Sequence, residues 1–361
     1  SNEIAVTIGQ MMTIAMEAGL DNTEGNNTGS FSVRLRAFPG DTGSGTEALS
    51  DVLVLNVEIL EETTGGVGGG IMPSVWGVVG SGYNDWGSAG PDGQFYTTSE
   101  DGVIVAYVTL VDGEIKFRTD NDWSSGDDLG DAGNDGMLDQ DPDNNIAVTA
   151  GDYKISIDTN DNSYSIEPYS WGVVGSGYND WGNDGPDGKF YYDYTTDSFK
   201  VSLRLVDGDI KFRTNNDWSS GDDLGDAGDD GMLDQDADNN IAVTAGHYLI
   251  TINFNDNSYS ITEADVWGIV GSGYNDWGGA GPDFALTEVQ PNVLVGDLAA
   301  LIDGQVKFRT NNDWGSGDDL GDAGSDSILD QDPDNNIDVT AGNYRVRIDF
   351  NDNSYQLNRI N

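Results

Sequence analysis

The sequence predicts an all-β protein built from tandem antiparallel β-sandwich modules, three of which are nearly identical. A segment of about 95 residues occurs three times along the chain. Inside each copy apolar and polar residues alternate with period two, which is the pattern of a half-buried strand. The 361 residues include 50 glycines and many Asn and Asp, which supply turns between short strands. No copy has a convincing helical period.

The three copies share motifs at nearly constant spacing. The motif Trp-Gly-Val-Val-Gly-Ser-Gly-Tyr-Asn-Asp-Trp-Gly begins at Trp76 and recurs at Trp171 and, with one Ile for Val, at Trp267. Between Lys116 and Gly151, 33 of 36 positions match the second copy and 30 of 36 match the third. Units of this size are large enough to fold alone, unlike the short units of a solenoid.

The repeat spacing defines the predicted domains. They are residues 1–62 (the C-terminal part of an immunoglobulin-like domain), 63–72 (a Gly-rich linker), 73–168 (repeat 1), 169–264 (repeat 2) and 265–361 (repeat 3). Before the linker, apolar residues at helical spacing predict a helix over residues 8–16, and alternation predicts strands over residues 31–37 and 53–59. One helix and two strands make a poor stand-alone sheet, so part of that domain is expected to be missing.

The strands of repeat 1 follow from alternation and turn residues. Residues 103–111 and 114–119 are predicted to form a hairpin, because Asp112-Gly113 suits a type I′ turn. Lys116 and Arg118 then lie on one face of the second strand, and Ile115 and Phe117 lie on the other. An Asp- and Gly-rich loop follows over about residues 120–145, and a second pair of strands around residues 153–157 and 164–166 is joined by a turn at residues 160–162.

The composition excludes several classes of function. The chain has 64 acidic and 15 basic residues and a formal net charge of −49, so phosphate backbones and anionic membrane surfaces are unfavourable partners. The absence of Cys excludes disulfides and Cys-bound zinc, and a single His argues against a Ser-His-Asp centre. Carboxylate pairs for glycoside hydrolysis arise by chance among so many acids, so an enzyme is the weaker hypothesis.

Two loop tryptophans and two basic residues recur together in each repeat and form the candidate site. An exposed indole offers a flat apolar surface to the C–H face of a sugar ring, and Lys and Arg can donate hydrogen bonds to its hydroxyls. The alternatives are that the indoles pack under their own loops and that the cations neutralise the acidic loop beside them. Trp76, which precedes a run of valines, is assigned to the core. The predicted glycan-binding residues are Trp86, Lys116, Arg118 and Trp123 in repeat 1, Trp181, Lys211, Arg213 and Trp218 in repeat 2, and Trp277, Lys307, Arg309 and Trp314 in repeat 3.

The acidic loop is a candidate for calcium. Its Asp-x-Asp-x-Asp spacing matches the first ligands of a calcium loop, but Asn144 stands where an EF-hand has Gly and Ala150 where it has a bidentate Glu. The alternative is that these carboxylates cap turns and stay solvated. No cofactor is required, and the residues that would hold calcium are Asp139, Asp141, Asp143, Asp234, Asp236, Asp238, Asp330, Asp332 and Asp334.

Several of these motifs resemble the carbohydrate-binding repeats of the SusE/SusF family, the starch-binding lipoproteins of the Bacteroidetes outer membrane. The resemblance rests on residues 76–81, 113–118, 122–123, 145–146 and 151–155, and it recurs in each repeat. Residues 11–20, 33–37 and 50–57 resemble the end of that family's immunoglobulin-like domain. Three repeats make the chain more similar to SusF than to SusE.

The resemblance implies a non-catalytic protein at the cell surface that presents starch-binding modules beside a SusC/SusD-like transporter complex. The lipidated Cys of the family is absent from this sequence, which also has no transmembrane segment, so a lipid anchor is implied only by the resemblance. Repeat 3 has Asp283-Phe284-Ala285 where the other copies have Asp-Gly-x-Phe-Tyr, so it is expected to bind differently or not at all. A β-glucan or another neutral glycan as ligand, and a calcium-stabilised adhesive array, stay open as alternatives.

Overall fold

The protein is described by a computed structural model. The structure describes residues 28–33, 36–37, 48–58, 70–124, 126, 128–140, 145–219, 221–235, 240–315, 317, 319–331 and 336–360. The predicted helix over residues 8–16 and most of the predicted linker lie outside these ranges. The chain divides into two compact units, Ser1–Gly68 and Gly69–Asn361. Within the described residues, no helix has the length and apolar character that crossing a bilayer requires.

The first unit contains antiparallel strands close to the predicted positions. Its strands are β1 (Thr28–Val33), β2 (Arg36–Ala37), β3 (Ala48–Leu49) and β4 (Leu53–Glu58). β1 pairs with β4, with Val33 opposite Leu53, and β2 pairs with β3. The described residues therefore agree with the two predicted strands.

Repeat 1 is a β-sandwich in which one strand belongs to both sheets. Its strands are β5 (Pro73–Val79), β6 (Gly93–Thr97), β7 (Val103–Leu110), β8 (Gly113–Thr119), β9 (Ile146–Val148), β10 (Gly151–Asp158) and β11 (Ser163–Pro168). One sheet has the strand order β6-β5-β8-β9, and the other has the order β6-β7-β10-β11. The first half of β6 pairs with β5, and the second half of β6 pairs with β7. The predicted pair of strands around residues 160–162 is the β10–β11 hairpin.

Repeats 2 and 3 have the same order of strands, but the shared strand is divided between two separate four-stranded sheets. The strands of repeat 2 are β12 (Trp171–Val174), β13 (Gly188–Lys189), β14 (Tyr191–Asp193), β15 (Ser198–Leu205), β16 (Gly208–Thr214), β17 (Ile241–Val243), β18 (Gly246–Asn253) and β19 (Ser258–Glu263). The strands of repeat 3 are β20 (Trp267–Val270), β21 (Phe284–Ala285), β22 (Thr287–Gln290), β23 (Val293–Leu301), β24 (Gly304–Thr310), β25 (Ile337–Val339), β26 (Gly342–Asp349) and β27 (Ser354–Arg359). The predicted all-β architecture of tandem sandwich modules is confirmed.

The predicted hairpin between β7 and β8 is wrong. β7 pairs with β6 and β10 in one sheet, whereas β8 pairs with β5 and β9 in the other, so the chain crosses between sheets at this turn. Gly113 does not have the positive φ of a type I′ turn. It is needed for space, because a Cβ there would lie 2.7 Å from the backbone nitrogen of Gly82. Alternation predicts which face of a strand is buried, but it does not identify the neighbouring strand.

Each sandwich encloses its own apolar core. In repeat 1 the rings of Phe95 and Phe117 meet edge to face at 5.6 Å, and both side chains are fully buried beside Ile115. Trp76 packs against this core, as the sequence predicts. The equivalent Phe190–Phe212 contact occurs in repeat 2.

Contacts between the repeats hold Gly69–Asn361 together as one unit. Tyr96 of repeat 1 stacks on Tyr194 of repeat 2, with ring centroids 4.9 Å apart. The ammonium of Lys189 in repeat 2 lies 2.8 Å from a carboxylate oxygen of Asp152 in repeat 1 and 3.0 Å from one of Asp297 in repeat 3. One cation therefore joins all three repeats.

Candidate binding site

The two loop tryptophans of each repeat lie side by side. The ring centroids of Trp86 and Trp123 are 6.1 Å apart, and their planes are inclined at 41°. The separation is again 6.1 Å in repeats 2 and 3, with angles of 43° and 44°. Trp123 is 43% exposed and Trp86 is half-buried. Each pair therefore leaves part of its indole surface open to solvent, and we call each pair a tryptophan platform.

A strained turn positions the first tryptophan of each platform. Trp86 lies in the short 3-10 turn Asp85–Gly87 with φ 58° and ψ 28°, and Asp85 before it has φ 47°. Left-handed backbone is unfavourable for residues other than Gly and is held only where the surroundings impose it. The same two positive φ angles occur at Trp181 and Trp277 and the residues before them.

A buried Asn holds this turn in place. The side-chain oxygen of Asn84 accepts hydrogen bonds from the backbone N–H groups of Gly80, at 3.2 Å, and Gly87, at 3.1 Å. Its amide nitrogen donates to a carboxylate oxygen of Asp92 at 2.9 Å. Asn84 is almost completely buried, so these bonds are shielded from competing water. Asn179 and Asn275 make the same contacts in the other repeats.

Asp92 connects this turn to the second tryptophan. Its two carboxylate oxygens accept from Nε of Arg118 at 2.6 Å and from Nη2 of Arg118 at 2.8 Å. The Arg118 guanidinium lies 4.5 Å from the centroid of Trp123, within the range of a cation–π interaction. The backbone N–H of Asp92 also donates to the side chain of Asn121, two residues before Trp123. The contacts Asn84–Asp92–Arg118–Trp123 thus form one continuous network beneath the platform.

Lys116 lies two residues before Arg118 and on the same face of β8. It is buried, and its ammonium lies 3.2 Å from a carboxylate oxygen of Asp128 in the acidic loop. The ion pair of Lys116 therefore agrees with the interpretation that the cations neutralise the acidic loop. Arg118 instead supports an indole. Equivalent pairs join Lys211 to Asp223 and Lys307 to Asp319.

The sequence predicts a Lys-x-Arg face beside the tryptophans, and the structure buries both cations. Lys116 and Arg118 are only 2% and 4% exposed, and both are paired with carboxylates. Desolvated cations need such partners, because an unpaired buried charge is costly. The predicted donation from these cations to ligand hydroxyls stays a prediction. Asn84 and Asp92 were missed, although Asn-Asp-Trp and Pro-Asp recur in all three copies and mark both positions.

Repeat 3 keeps the site in spite of its different segment. Asp283 holds Arg309 at 2.6 Å and 2.8 Å, and Arg309 lies 4.4 Å from the centroid of Trp314. In the changed segment, Leu286 takes the fully buried place that Phe95 has in repeat 1. The substitutions there alter the core of the sandwich and leave the platform as it is in the other repeats.

In the described part of the acidic loop, carboxylates cap turns. Asp131 accepts hydrogen bonds from the backbone N–H groups of Gly133, Asp135 and Gly136 and from the hydroxyl of Tyr164. Asp139 accepts from the N–H of Ala132 at 3.1 Å. No three acidic or His side chains among the described residues are grouped closely enough to hold a metal ion. Of the predicted calcium ligands, Asp141, Asp143, Asp236, Asp238, Asp332 and Asp334 lie outside the described residues, so calcium binding stays a prediction.

We expect acid to destabilise this loop. Burial of Asp131 opposes its ionisation, but the donors from Gly136, Tyr164, Asp135 and Gly133 outweigh that effect and hold its pKa below the ordinary value of 3.8. The contribution to stability is present above the unfolded pKa and is lost as the pH falls through the folded pKa. The melting temperature measured from neutral pH to about pH 2 should therefore fall steeply at the acid end.

The control for this expectation is the triple variant Asp131→Asn, Asp226→Asn and Asp322→Asn, which removes the same carboxylate from each repeat. Asp226 and Asp322 are also desolvated, and each has a Tyr donor and backbone donors at equivalent positions that lower its pKa as in Asp131. The variant should be less stable at neutral pH and should lose less stability on acidification. An acid transition of unchanged depth would show that other carboxylates control it.

A family model described as SusF/SusE starch-specific carbohydrate-binding modules matches residues 76–165 and 171–260, which together make up about half of the chain. The chain belongs to the SusF/SusE family. The matched ranges cover repeats 1 and 2 from the first Trp to the last strand. They include the tryptophan platforms of these two repeats. The family membership that the sequence motifs predict is confirmed.

Among solved structures, the crystal structure of SusF from Bacteroides thetaiotaomicron is similar to this SusF/SusE-family chain. It has 16% sequence identity and a TM-score of 0.24, and the alignment covers 98% of this chain and 85% of that chain. A search of curated proteins gave no match.

Proposed function

We propose that this protein is a non-catalytic, cell-surface binder of starch-like α-glucan that uses one tryptophan platform in each of its three repeats. The family to which it belongs is described as starch-specific, which supports the choice of ligand. Attachment at the outer surface of a Bacteroidetes outer membrane and cooperation with a SusC/SusD-type uptake system are part of the proposal, and they rest on membership of this family.

The observation that carries the proposal is the inclined geometry of the tryptophan pairs. Two adjacent indoles whose planes differ by 41° to 44° offer a bent apolar surface rather than a flat one. An α-1,4-linked glucan turns from one sugar ring to the next, whereas a β-1,4-linked glucan is a nearly flat ribbon. The platform therefore complements successive rings of an α-glucan, and the network beneath it holds the angle before the ligand arrives.

The electrostatics of the site suit a neutral ligand. Near each platform the cations are matched by carboxylates, as in the Arg118–Asp92 and Lys116–Asp128 pairs. A neutral polysaccharide is not repelled by a protein of net charge −49, whereas an acidic polysaccharide is. The family model describes carbohydrate-binding modules, which supports a non-catalytic role.

Three platforms on one chain favour multivalent binding. A polysaccharide presents many equivalent segments, so binding at one platform raises the effective concentration of ligand at the others. Individually weak sites then give strong retention on a polymer and weak binding to a short oligosaccharide. Calcium in the acidic loop is a separate proposal, tested by comparing melting temperatures with calcium and with chelator.

The test of the proposal is affinity electrophoresis in native gels that contain a polysaccharide. We expect strong retardation by amylopectin and pullulan and none by a soluble β-glucan, each compared with a gel without polysaccharide. Retardation by the β-glucan alone would contradict the α-glucan assignment and favour the other neutral-glycan hypothesis. Migration unaffected by every polysaccharide would contradict glycan binding itself.

A further inference from the structure

A cavity of about 770 Å³ lies mainly between repeats 2 and 3, with Thr109 and Asp152 of repeat 1 also lining it, and none of the platform indoles is among its lining residues. We call it the inter-repeat cleft. Its size is in the range of ligand-binding clefts, about 300–1,000 Å³. Residues at equivalent positions of the two repeats line it in pairs: Trp171 and Trp267, Tyr178 and Tyr274, and Asn216 and Asn312. Trp171 belongs to the core of repeat 2, so the groups that both repeats offer to a ligand are the tyrosine rings and the Asn amides.

The lining favours a neutral polar ligand. Lys189, which lines the cleft, is held between Asp152 and Asp297. Asp187 and Asp283, which also line the cleft, form bidentate pairs with Arg213 and Arg309. Five of the seven charged residues that line the cleft are thus paired within the protein, and the other two, Asp184 and Arg204, carry opposite charges. Tyrosine rings can stack on sugar rings, and the hydroxyl and amide groups of Tyr and Asn can form hydrogen bonds with sugar hydroxyls.

A backbone irregularity in repeat 3 shapes one side of the cleft. The pairing of β23 with β26 shifts between Gly296 and Ala299, which marks a β-bulge. Leu298 within the bulge has φ 56°, a left-handed conformation that is unusual for leucine, and it lines the cleft with Asp297. Bulges and strained residues are concentrated near functional sites, where they redirect side chains.

The cleft is connected to two platforms through shared residues. The carboxylate of Asp187 that lines the cleft also holds Arg213, whose guanidinium lies 4.5 Å from the centroid of Trp218. Asp283 and Arg309 make the same connection to Trp314. In repeat 1 the equivalent tyrosine, Tyr83, is instead covered by the guanidinium of Arg345 at 3.8 Å from its ring centroid.

We propose that the inter-repeat cleft is a further glycan subsite, which holds a segment of a neutral α-glucan between the paired tyrosines of repeats 2 and 3. The inference rests on the proposed function, because it takes the same class of ligand. It adds a binding surface that neither repeat has alone. The cleft is a single site, so it lengthens the segment that is bound without replacing the three platforms.

Hydroxyl-radical footprinting of the full chain with and without maltoheptaose tests the subsite residue by residue. We expect the ligand to protect Tyr178 and Tyr274 from oxidation, and Tyr83, already covered by Arg345, to be unchanged. Protection of Trp123, Trp218 and Trp314 reports on the platforms in the same experiment. Protected tryptophans with unprotected Tyr178 and Tyr274 would overturn the subsite alone. No protection anywhere would also overturn the subsite, and together with unaffected migration in an amylopectin gel it would overturn the proposed function as well.

A cleft-filling variant provides the second measurement. Ala285 lines the cleft and is exposed, so Ala285→Trp occupies the space without removing a polar group or a core side chain. We expect it to abolish the protection of Tyr178 and Tyr274 and to weaken maltoheptaose binding by about tenfold, equivalent to about 1.4 kcal/mol. The platforms should stay protected. Unchanged protection and affinity would overturn the proposal.

Discussion

Replacing Trp123, Trp218 and Trp314 together by Ala is expected to abolish retardation of the protein in an amylopectin gel. Each of these residues supplies the more exposed indole of a platform, with 43% to 44% of its surface accessible. Truncating a central aromatic contact costs about 2 kcal/mol or more, which is roughly a thirtyfold loss per site. Because the three losses act on linked sites, the gain from multivalency disappears too.

The fold should survive these substitutions, because the removed side chains lie outside the three cores. A matched control is the triple variant Met137→Ala, Met232→Ala and Ile328→Ala. These residues are also apolar, are 40% to 43% exposed and occupy one equivalent position in each repeat, bridged to a Ser at the start of its last strand. The control should be retarded like the unmodified protein. Normal retardation of the tryptophan variant would mean that the platforms do not bind the glycan.

Single tryptophan variants separate the contributions of the repeats. Since the platform of repeat 3 has the same separation, inclination and supporting ion pair as the others, Trp314→Ala should weaken binding as much as Trp123→Ala. Titration with amylopectin in solution measures both variants. An unchanged affinity of Trp314→Ala alone would support the sequence-based expectation that repeat 3 binds differently or not at all.

The sequence predicts the strands and the platform tryptophans because each depends on a local pattern. Alternation indicates the core residues Ile115 and Phe117, and an indole between Gly, Asn and Asp residues indicates a loop. β8 pairs with β5, which is distant in the sequence, rather than with the preceding strand β7. The alternation of two adjacent segments does not show which strand each one pairs with. The predicted hairpin failed for this reason.

The ion-pair network could not be derived from composition or spacing. With 64 acidic residues, the sequence offers Arg118 many possible partners, and only the folded chain selects Asp92, 26 residues away. The contacts between repeats, in contrast, can be recognised in the sequence from the positions at which the three copies differ. Lys189 corresponds to Gln94 in repeat 1, and Arg345 corresponds to Lys154 there, yet Lys189 and Arg345 both join repeats. Positions that vary among otherwise identical units are therefore good candidates for interfaces.

Asp92→Ala is expected to cause the largest loss of stability of any single substitution at the platform of repeat 1. It leaves the guanidinium of Arg118, which is 4% exposed, buried without its carboxylate, and it takes a partner from Asn84. Removing one member of a buried ion pair costs about 3–5 kcal/mol. Native-state hydrogen exchange of the amides in β5 and β8 measures the loss locally, and the equivalent strands β12, β16, β20 and β24 serve as controls within the same chain.

A double-mutant cycle separates the cost of the orphaned charge from the cost of lost packing. Arg118→Met alone leaves Asp92 buried without its cation, whereas Asp92→Ala with Arg118→Met removes both charges. If charge pairing dominates, the double variant should be markedly more stable than the sum of the single losses predicts. It should still bind glycan poorly in repeat 1, because Trp123 has lost the guanidinium beneath it. Additive losses, or unchanged exchange in repeat 1 of Asp92→Ala, would show that the pair does not stabilise the platform.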